Sequence, residues 1–179
     1  MTKAIVSPPS QWVMQQAIIW PTNAYVLDFA AGSGRHSRAL IALSDSQFKV
    51  LAVDQDEAAL TELTTAFPTV KTHCQDLESE EAWQFASQQF DVVLVTNYLY
   101  RPKLAMLFDL VRPGGHLVYE TFGVGNEALG KPSNPNFLLE PGELSAAMPA
   151  NFILRDYFHG RVDQPKSAII QRLAAERIV

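Results

Sequence analysis

Asp28 closes the apolar run Tyr25-Val26-Leu27, and Gly32 and Gly34 follow it after a pair of alanines. An acid carried by a buried strand to a glycine turn suits ligand binding, because the backbone there is bare enough for a molecule to lie against it. The spacing also discriminates between ligands. A dinucleotide pyrophosphate asks for G-x-G-x-x-G, whose third glycine lets the helix pack closely. Here Ser37 holds that third position, and the Asp28 carboxylate repels a pyrophosphate and suits a cationic ligand. Asp54 ends a second apolar run about twenty residues beyond the turn, the place for an acid that grips a ribose diol. Each charge-assisted bond of that kind contributes about 1.5–3 kcal/mol.

Further polar residues fall at the ends of later apolar runs. Asp76 follows Val70 to Cys74, Asn97 follows Phe90 to Val95, and Glu120 lies in Tyr119-Glu120-Thr121. Tyr98 and Tyr100 shape a ligand pocket or pack beneath a lid. Glu120 orients a ligand, acts as a base, or bonds neighbouring loop backbone. His36, just past the glycine turn, contacts substrate or bridges to a neighbouring loop. His159 falls where a late loop could reach a crevice rim, while His73 and His116 read as structural. Asn134 and Asn136 either border a binding site or pin their own turns.

The elements that position these residues follow from periodicity. Ser10 caps a helix over 11–20 that places Val13, Ala17 and Trp20 on one face, and Pro21 stops it. Strands are expected over 26–29, 48–53, 70–74, 90–95 and 116–122. Helices are expected over 34–43, 57–67, 80–88 and 103–111, with Arg112-Pro113-Gly114-Gly115 as a turn. Residues 123–140 read as a loop, Pro141 opens a short helix, and 152–158 with 168–174 form a C-terminal hairpin. Strands alternating with helices make an α/β, Rossmann-like doubly wound sheet of about seven strands, mostly parallel with an antiparallel last strand. Ligands then sit at the carboxyl ends of the strands.

Composition sets the outer bounds. At 179 residues the chain is large enough for one domain with a substantial core. A net charge of -5 and a pI near 5.3 disfavour nucleic acid as a partner. The one cysteine, Cys74, rules out an internal disulfide framework, and no metal-ligand cluster stands out. Pro8, Pro9 and several glutamines interrupt any signal-peptide core, and no apolar run approaches membrane length, so a cytoplasmic protein without membrane partners is expected.

Taken in order, Leu27-Asp28-Phe29-Ala30-Ala31-Gly32-Ser33-Gly34, Val53-Asp54, Gln75-Asp76-Leu77, Phe90-Asp91-Val92-Val93 and Arg112-Pro113-Gly114-Gly115-His116-Leu117 resemble the signature segments of class I S-adenosylmethionine-dependent methyltransferases. The finer resemblance is to small bacterial tellurite-resistance-type (TehB-like) methyltransferases. It is carried by Gly34-Arg35-His36-Ser37, Tyr119-Glu120-Thr121-Phe122, and Asn134-Pro135-Asn136-Phe137-Leu138-Leu139 before Pro141-Gly142-Glu143-Leu144.

The resemblance implies a single methyltransferase domain over 1–179. It has an N-terminal helical lid over 1–24 and an acceptor-side loop over 123–140. It implies S-adenosyl-L-methionine as cofactor, with S-adenosyl-L-homocysteine as product. Asp28, Ala30, Gly32, Ser33 and Gly34 would surround its methionine part, and Asp54 with Gln55 its ribose. Asp76 and Leu77 would lie at its adenine, and Asn97 beside the transferring methyl. Tyr98, Glu120 and His36 are the catalytic candidates. Asn97-Tyr98-Leu99-Tyr100 departs from the Asn-Pro-Pro-Tyr motif of amino-directed nucleic-acid enzymes, which favours a small-molecule acceptor. The alternative is a non-catalytic methyltransferase-like protein that binds the cofactor or supports a partner.

Overall fold

Val26, Leu27 and Phe29 are fully buried, and they form the first strand of a parallel ladder in the computed structural model, which describes residues 7–43 and 45–178. Two compact units make up the chain, one ending at Trp83 and the other beginning at Gln84. In the first unit, β1 (Tyr25–Phe29) pairs in parallel with β2 (Lys49–Asp54), and β2 with β3 (Lys71–Cys74). Leu27 stands opposite Leu51, and Asp54 opposite Cys74. Continuous apolar runs on β1 and β2 fit strands covered on both faces.

Among the described residues, three α-helices belong to this unit. α1 (Gln11–Gln16) starts at Ser10, whose Oγ accepts from the Val13 amide at 3.4 Å. It tightens into a 3-10 turn over Ala17–Ile19, shorter than the helix expected over 11–20 because Pro21 lies just beyond. Trp12, Val13, Ala17 and Trp20 are all buried, and Trp20 packs on Phe48. Residues 1–6 of the expected lid lie outside the described residues. α2 (Arg35–Ile41) follows the glycine turn, and α3 (Glu57–Ala66) is capped by Asp56, which accepts from the Ala59 amide at 3.0 Å.

The helix expected over 80–88 is absent, and turns take its place. Trp83 and Phe85 are both buried although they are two residues apart, a spacing that one helical face cannot supply. The Trp83 indole donates to the Leu77 carbonyl at 3.0 Å, and the Gln75 amide side chain to the Ala82 carbonyl at 3.0 Å. Those bonds hold the local backbone in loop form.

The second unit contains β4 (Phe90–Thr96), β5 (Val111–Phe122), β6 (Phe152–Val162) and β7 (Ala168–Arg177) in the order β4-β5-β7-β6. β4 and β5 are parallel, and β7 runs antiparallel to both β5 and β6. The described residues thus supply seven strands of an α/β sheet, mostly parallel, with the last strand reversed as expected.

Two local corrections apply in this unit. The expected helix over 103–111 is reduced to a 3-10 turn at Arg101–Lys103 and α4 (Met106–Asp109), because the Leu110 carbonyl accepts from the Phe90 amide and Val111 already pairs with Phe90. Residues 112–115 are strand rather than free turn, with a register shift opposite Phe90 to Val92. A Cβ on Gly115 would lie 2.7 Å from the Asp91 carbonyl oxygen, so only glycine permits this approach. Residues 123–140 hold two 3-10 turns and are closed by a bridge between Gly123 and Leu139. α5 (Glu143–Ala146) follows.

Candidate cofactor and acceptor residues

The glycine turn leaves β1 through Ala30, whose φ of 55° is left-handed although it carries a side chain. Gly32 and Gly34 are left-handed too, at φ 53° and 70°. A Cβ on Gly32 would meet nothing within 4 Å, whereas one on Gly34 would lie 2.5 Å from Leu63 Cδ2. The two glycines therefore serve different ends. Gly34 lets α2 and α3 approach, and Gly32 leaves its backbone bare.

Asp54 reaches across from the end of β2. Its Oδ2 accepts from the Gly32 amide at 2.7 Å, and its Oδ1 from the Asp56 amide at 3.0 Å. An ionised carboxylate has about four lone-pair directions, so two backbone bonds still leave it acceptor capacity toward hydroxyls. Asp28 behaves differently. It is 1% exposed, and its Oδ2 accepts both the Ser37 hydroxyl at 2.6 Å and the Ser37 amide at 3.1 Å. Burial pushes its carboxyl up to about 6, against the opposing pull of the Ser37 bonds and the Arg35 charge. Asp28 ties the strand end to the first turn of α2, and the residue that replaces the third dinucleotide glycine is its partner.

The remaining residues of this unit are dispersed around that core. Ser33 gives its carbonyl to Arg38 Nε at 3.0 Å. The exposed Gln55 gives its carbonyl to the Cys74 thiol at 3.5 Å. Asp76 is exposed and closes its own turn through the Glu78 amide at 2.9 Å, while Leu77 is buried beneath. His36 is 1% exposed, and its Nε2 accepts from the Ser10 amide at 3.0 Å.

In the second unit, Asn97 follows β4 with a left-handed φ of 54° and donates its amide to the Glu120 carbonyl at 2.9 Å. The Tyr98 carbonyl accepts the Tyr119 hydroxyl at 2.7 Å. Tyr119 is fully buried, and burial pushes its phenol far up, so the hydroxyl stays a donor. Glu120 is buried and ion-paired with Arg172 at 2.6 Å, and the Arg172 guanidinium lies 5.6 Å over the Phe158 ring. This pairing follows the sheet register, which sets Glu120 opposite Arg172 and Arg172 opposite Phe158. His159 Nε2 presses on Gly123, 3.1 Å from where a Cβ would stand.

Arg101 was not singled out by sequence, yet it ties this side together. Nε and Nη2 fork onto Glu143 at 2.7 and 2.9 Å, and Nη1 and Nη2 reach the carbonyls of Asn136 and Leu138 at 2.9 and 2.7 Å. Burial opposes ionisation of Glu143, but the Arg101 and Glu140 bonds outweigh it and lower its carboxyl. Gln171, fully buried, receives the Leu144 amide and donates to the Glu140 carbonyl, both at 2.9 Å. A Gln-Arg pair inside the apolar run of β7 was the sequence signal for Gln171 and Arg172. Arg101 had no such mark beyond its place after β4. Among the described residues, no group of three or more His, Cys, Asp or Glu is placed to hold a metal ion, and no helix is long and apolar enough to cross a membrane.

A family model described as a methyltransferase domain matches residues 26–115, half of the chain. The chain belongs to this methyltransferase family. No curated protein matches it by sequence. Among solved structures it is similar to TehB from Haemophilus influenzae, at 16% identity and TM-score 0.73 over 98% of this chain. It spans 63% of that TehB chain. A methyltransferase from Methanosarcina mazei, described as S-adenosylmethionine-dependent, is similar at 14% identity and TM-score 0.73, covering 97% of this chain and 100% of the other. A third is the 1,6-didemethyltoxoflavin-N1-methyltransferase of Burkholderia thailandensis, solved with 1,6-didemethyltoxoflavin and S-adenosylhomocysteine bound, at 20% identity and TM-score 0.63 over 94% of this chain and 76% of that one. The methyltransferase thus shares its fold with proteins described as S-adenosylmethionine-dependent, one of them solved with S-adenosylhomocysteine bound.

Proposed function

We propose that this methyltransferase moves the methyl group of S-adenosylmethionine to a small-molecule acceptor by direct in-line displacement. The observation that carries this reading is the contact between Gly32 and Asp54. A bare left-handed glycine and a carboxylate held by its amide at 2.7 Å form a cradle fit for a ligand with a hydroxylated sugar. S-adenosylmethionine supplies a methyl on a sulfonium sulfur, already electrophilic, so the protein's part is alignment and the exclusion of water.

In that arrangement Asp54 accepts from the ribose hydroxyls, with Gln55 beside it. Ala30, Gly32, Ser33 and Gly34 present backbone to the methionine portion, and Asp76 and Leu77 border the adenine. Asp28 contributes by holding the turn, its carboxylate being engaged by Ser37. Asn97, left-handed at φ 54° just past β4, has its backbone fixed by the bond from its amide to the Glu120 carbonyl, which supports a place beside the transferring methyl. Tyr98 and the Glu120 carboxylate orient the acceptor, and the 123–140 loop covers it. The small-molecule class is supported by the toxoflavin enzyme among the similar folds. The lack of a Pro at position 98 points the same way.

Calorimetric titration with S-adenosylhomocysteine tests the cofactor part, with one-to-one binding expected. No binding by folded, ligand-free protein would overturn it. Turnover of labelled S-adenosylmethionine across a panel of small acceptors tests the rest, and binding without turnover on any of them would favour a non-catalytic cofactor-binding protein.

A further inference from the structure

Four consecutive residues at the start of α2 make bonds to three parts of the first unit. Arg35 Nη1 donates to the Pro8 carbonyl at 3.3 Å, and His36 Nε2 accepts from the Ser10 amide at 3.0 Å. Ser37 bonds Asp28 on β1, and Arg38 Nε bonds the Ser33 carbonyl within the glycine turn. The stretch 8–10 is therefore fastened to the same helical turn that fixes Gly32 to Gly34. Ser10 is at once the donor to His36 and the cap of α1.

We propose that His36 is a positioning residue of the cofactor site: its imidazole fastens the Pro8–Ser10 segment onto the first turn of α2 and thereby holds the glycine turn in its binding form. This rests on the reading of that turn as the S-adenosylmethionine cradle. An imidazole can accept from a backbone amide only through an unprotonated nitrogen. Burial, with the Arg35 charge beside it, lowers the ring to about 3, so Nε2 keeps its lone pair across the neutral range. A ring committed in this way supports the site through backbone geometry, and its Nε2 lone pair is engaged by the Ser10 amide rather than open to act as a base.

The test is calorimetric titration of the full chain with S-adenosylhomocysteine. His36→Phe keeps the ring's bulk but has no acceptor, and affinity is expected to fall about tenfold, the scale of one lost hydrogen bond to a buried partner. His36→Gln places an amide oxygen near the Nε2 position and is expected to recover most of the loss, a rescue that a purely volume-filling role would not show. From the other side, Ser10→Pro removes the donor amide and is expected to match His36→Phe, whereas Ser10→Ala keeps it and binds more tightly than Ser10→Pro. The Ser10 pair carries the test if His36→Phe does not fold. Wild-type binding matched by both His36→Phe and Ser10→Pro overturns this inference alone. Absence of wild-type binding overturns the cofactor reading, and the inference with it.

Discussion

Ser37 donates its hydroxyl and its backbone amide to the same oxygen of Asp28, at 2.6 and 3.1 Å. One carboxylate thus joins the end of β1 to the first turn of α2 inside the core, and burial raises its carboxyl from 3.8 to about 6. An acid whose folded pKa exceeds its unfolded value binds its proton more tightly when folded. Its contribution is present below about pH 4 and is lost as pH rises through 6. Across that window, wild type is expected to lose up to about 3 kcal/mol relative to Asp28→Asn, from about 1.4 kcal/mol per unit. Urea unfolding of both proteins from pH 4 to 7 measures the difference, and parallel curves would refute it.

Asp54 is expected to dominate cofactor affinity. Asp54→Ala removes the acceptors for ribose and frees the Gly32 amide from its 2.7 Å bond. With charge-assisted bonds at about 1.5–3 kcal/mol each, S-adenosylhomocysteine binding should weaken at least ~10-fold by calorimetry. Undiminished binding would take Asp54 out of the ribose role.

The two turn glycines should separate stability from binding. Gly34→Ala sets a Cβ 2.5 Å from Leu63 Cδ2 at φ +70° and is expected to cost roughly 2–4 kcal/mol, from left-handed strain and overpacking together. Gly32→Ala meets no neighbour and should cost only about 1 kcal/mol, yet it places a methyl on the bare face of the turn and weakens S-adenosylhomocysteine binding. Urea melts and titrations on both variants decide this. A Gly32→Ala protein that binds as wild type would show that the ligand does not lie there.

Arg101→Lys replaces a planar fork with a point charge, which cannot hold Glu143 and two carbonyls at once. Amide hydrogen exchange is expected to quicken across 134–143 while β4 stays protected. Unchanged exchange in that stretch would mean that the loop is held by its other ties, such as Gln171 to Glu140.

Much of this molecule could be read from periodicity because β1, β2 and β4 are nearly continuous apolar runs and Pro68 and Pro149 lie just beyond α3 and α5. Val26 to Phe29, Phe90 to Val95 and the hairpin were placed within a residue or so at their starts. The failures share one cause. At 80–88 and 103–111, bonds outside the helical pattern capture the backbone: the Trp83 indole donates to the Leu77 carbonyl in the first stretch, and the Phe90 amide donates to the Leu110 carbonyl in the second. Local propensity carries no signal for such bonds. The site divides in the same way. Asp54 and the glycines were legible because their chemistry is local to a turn. The commitment of Asp28 to Ser37, of His36 to Ser10 and of Arg101 to Glu143 depends on partners 9, 26 and 42 residues away.

The bridge between Gly123 and Leu139 has a consequence for how such proteins diversify. The Leu139 amide reaches the Phe122 carbonyl at 2.9 Å and the Val124 amide reaches the Leu139 carbonyl at 3.0 Å, so the two ends of the intervening stretch are stitched side by side. Closing a loop costs only slowly more as it lengthens. Length can therefore change between those two posts at small entropic cost, provided two ties are kept: Asn126 Oδ1, which accepts from the Ile169 amide of β7 at 3.2 Å, and the Asn136 and Leu138 carbonyls held by Arg101. That makes the residues between Asn126 and Asn136 the natural splice point for exchanging modules between related chains.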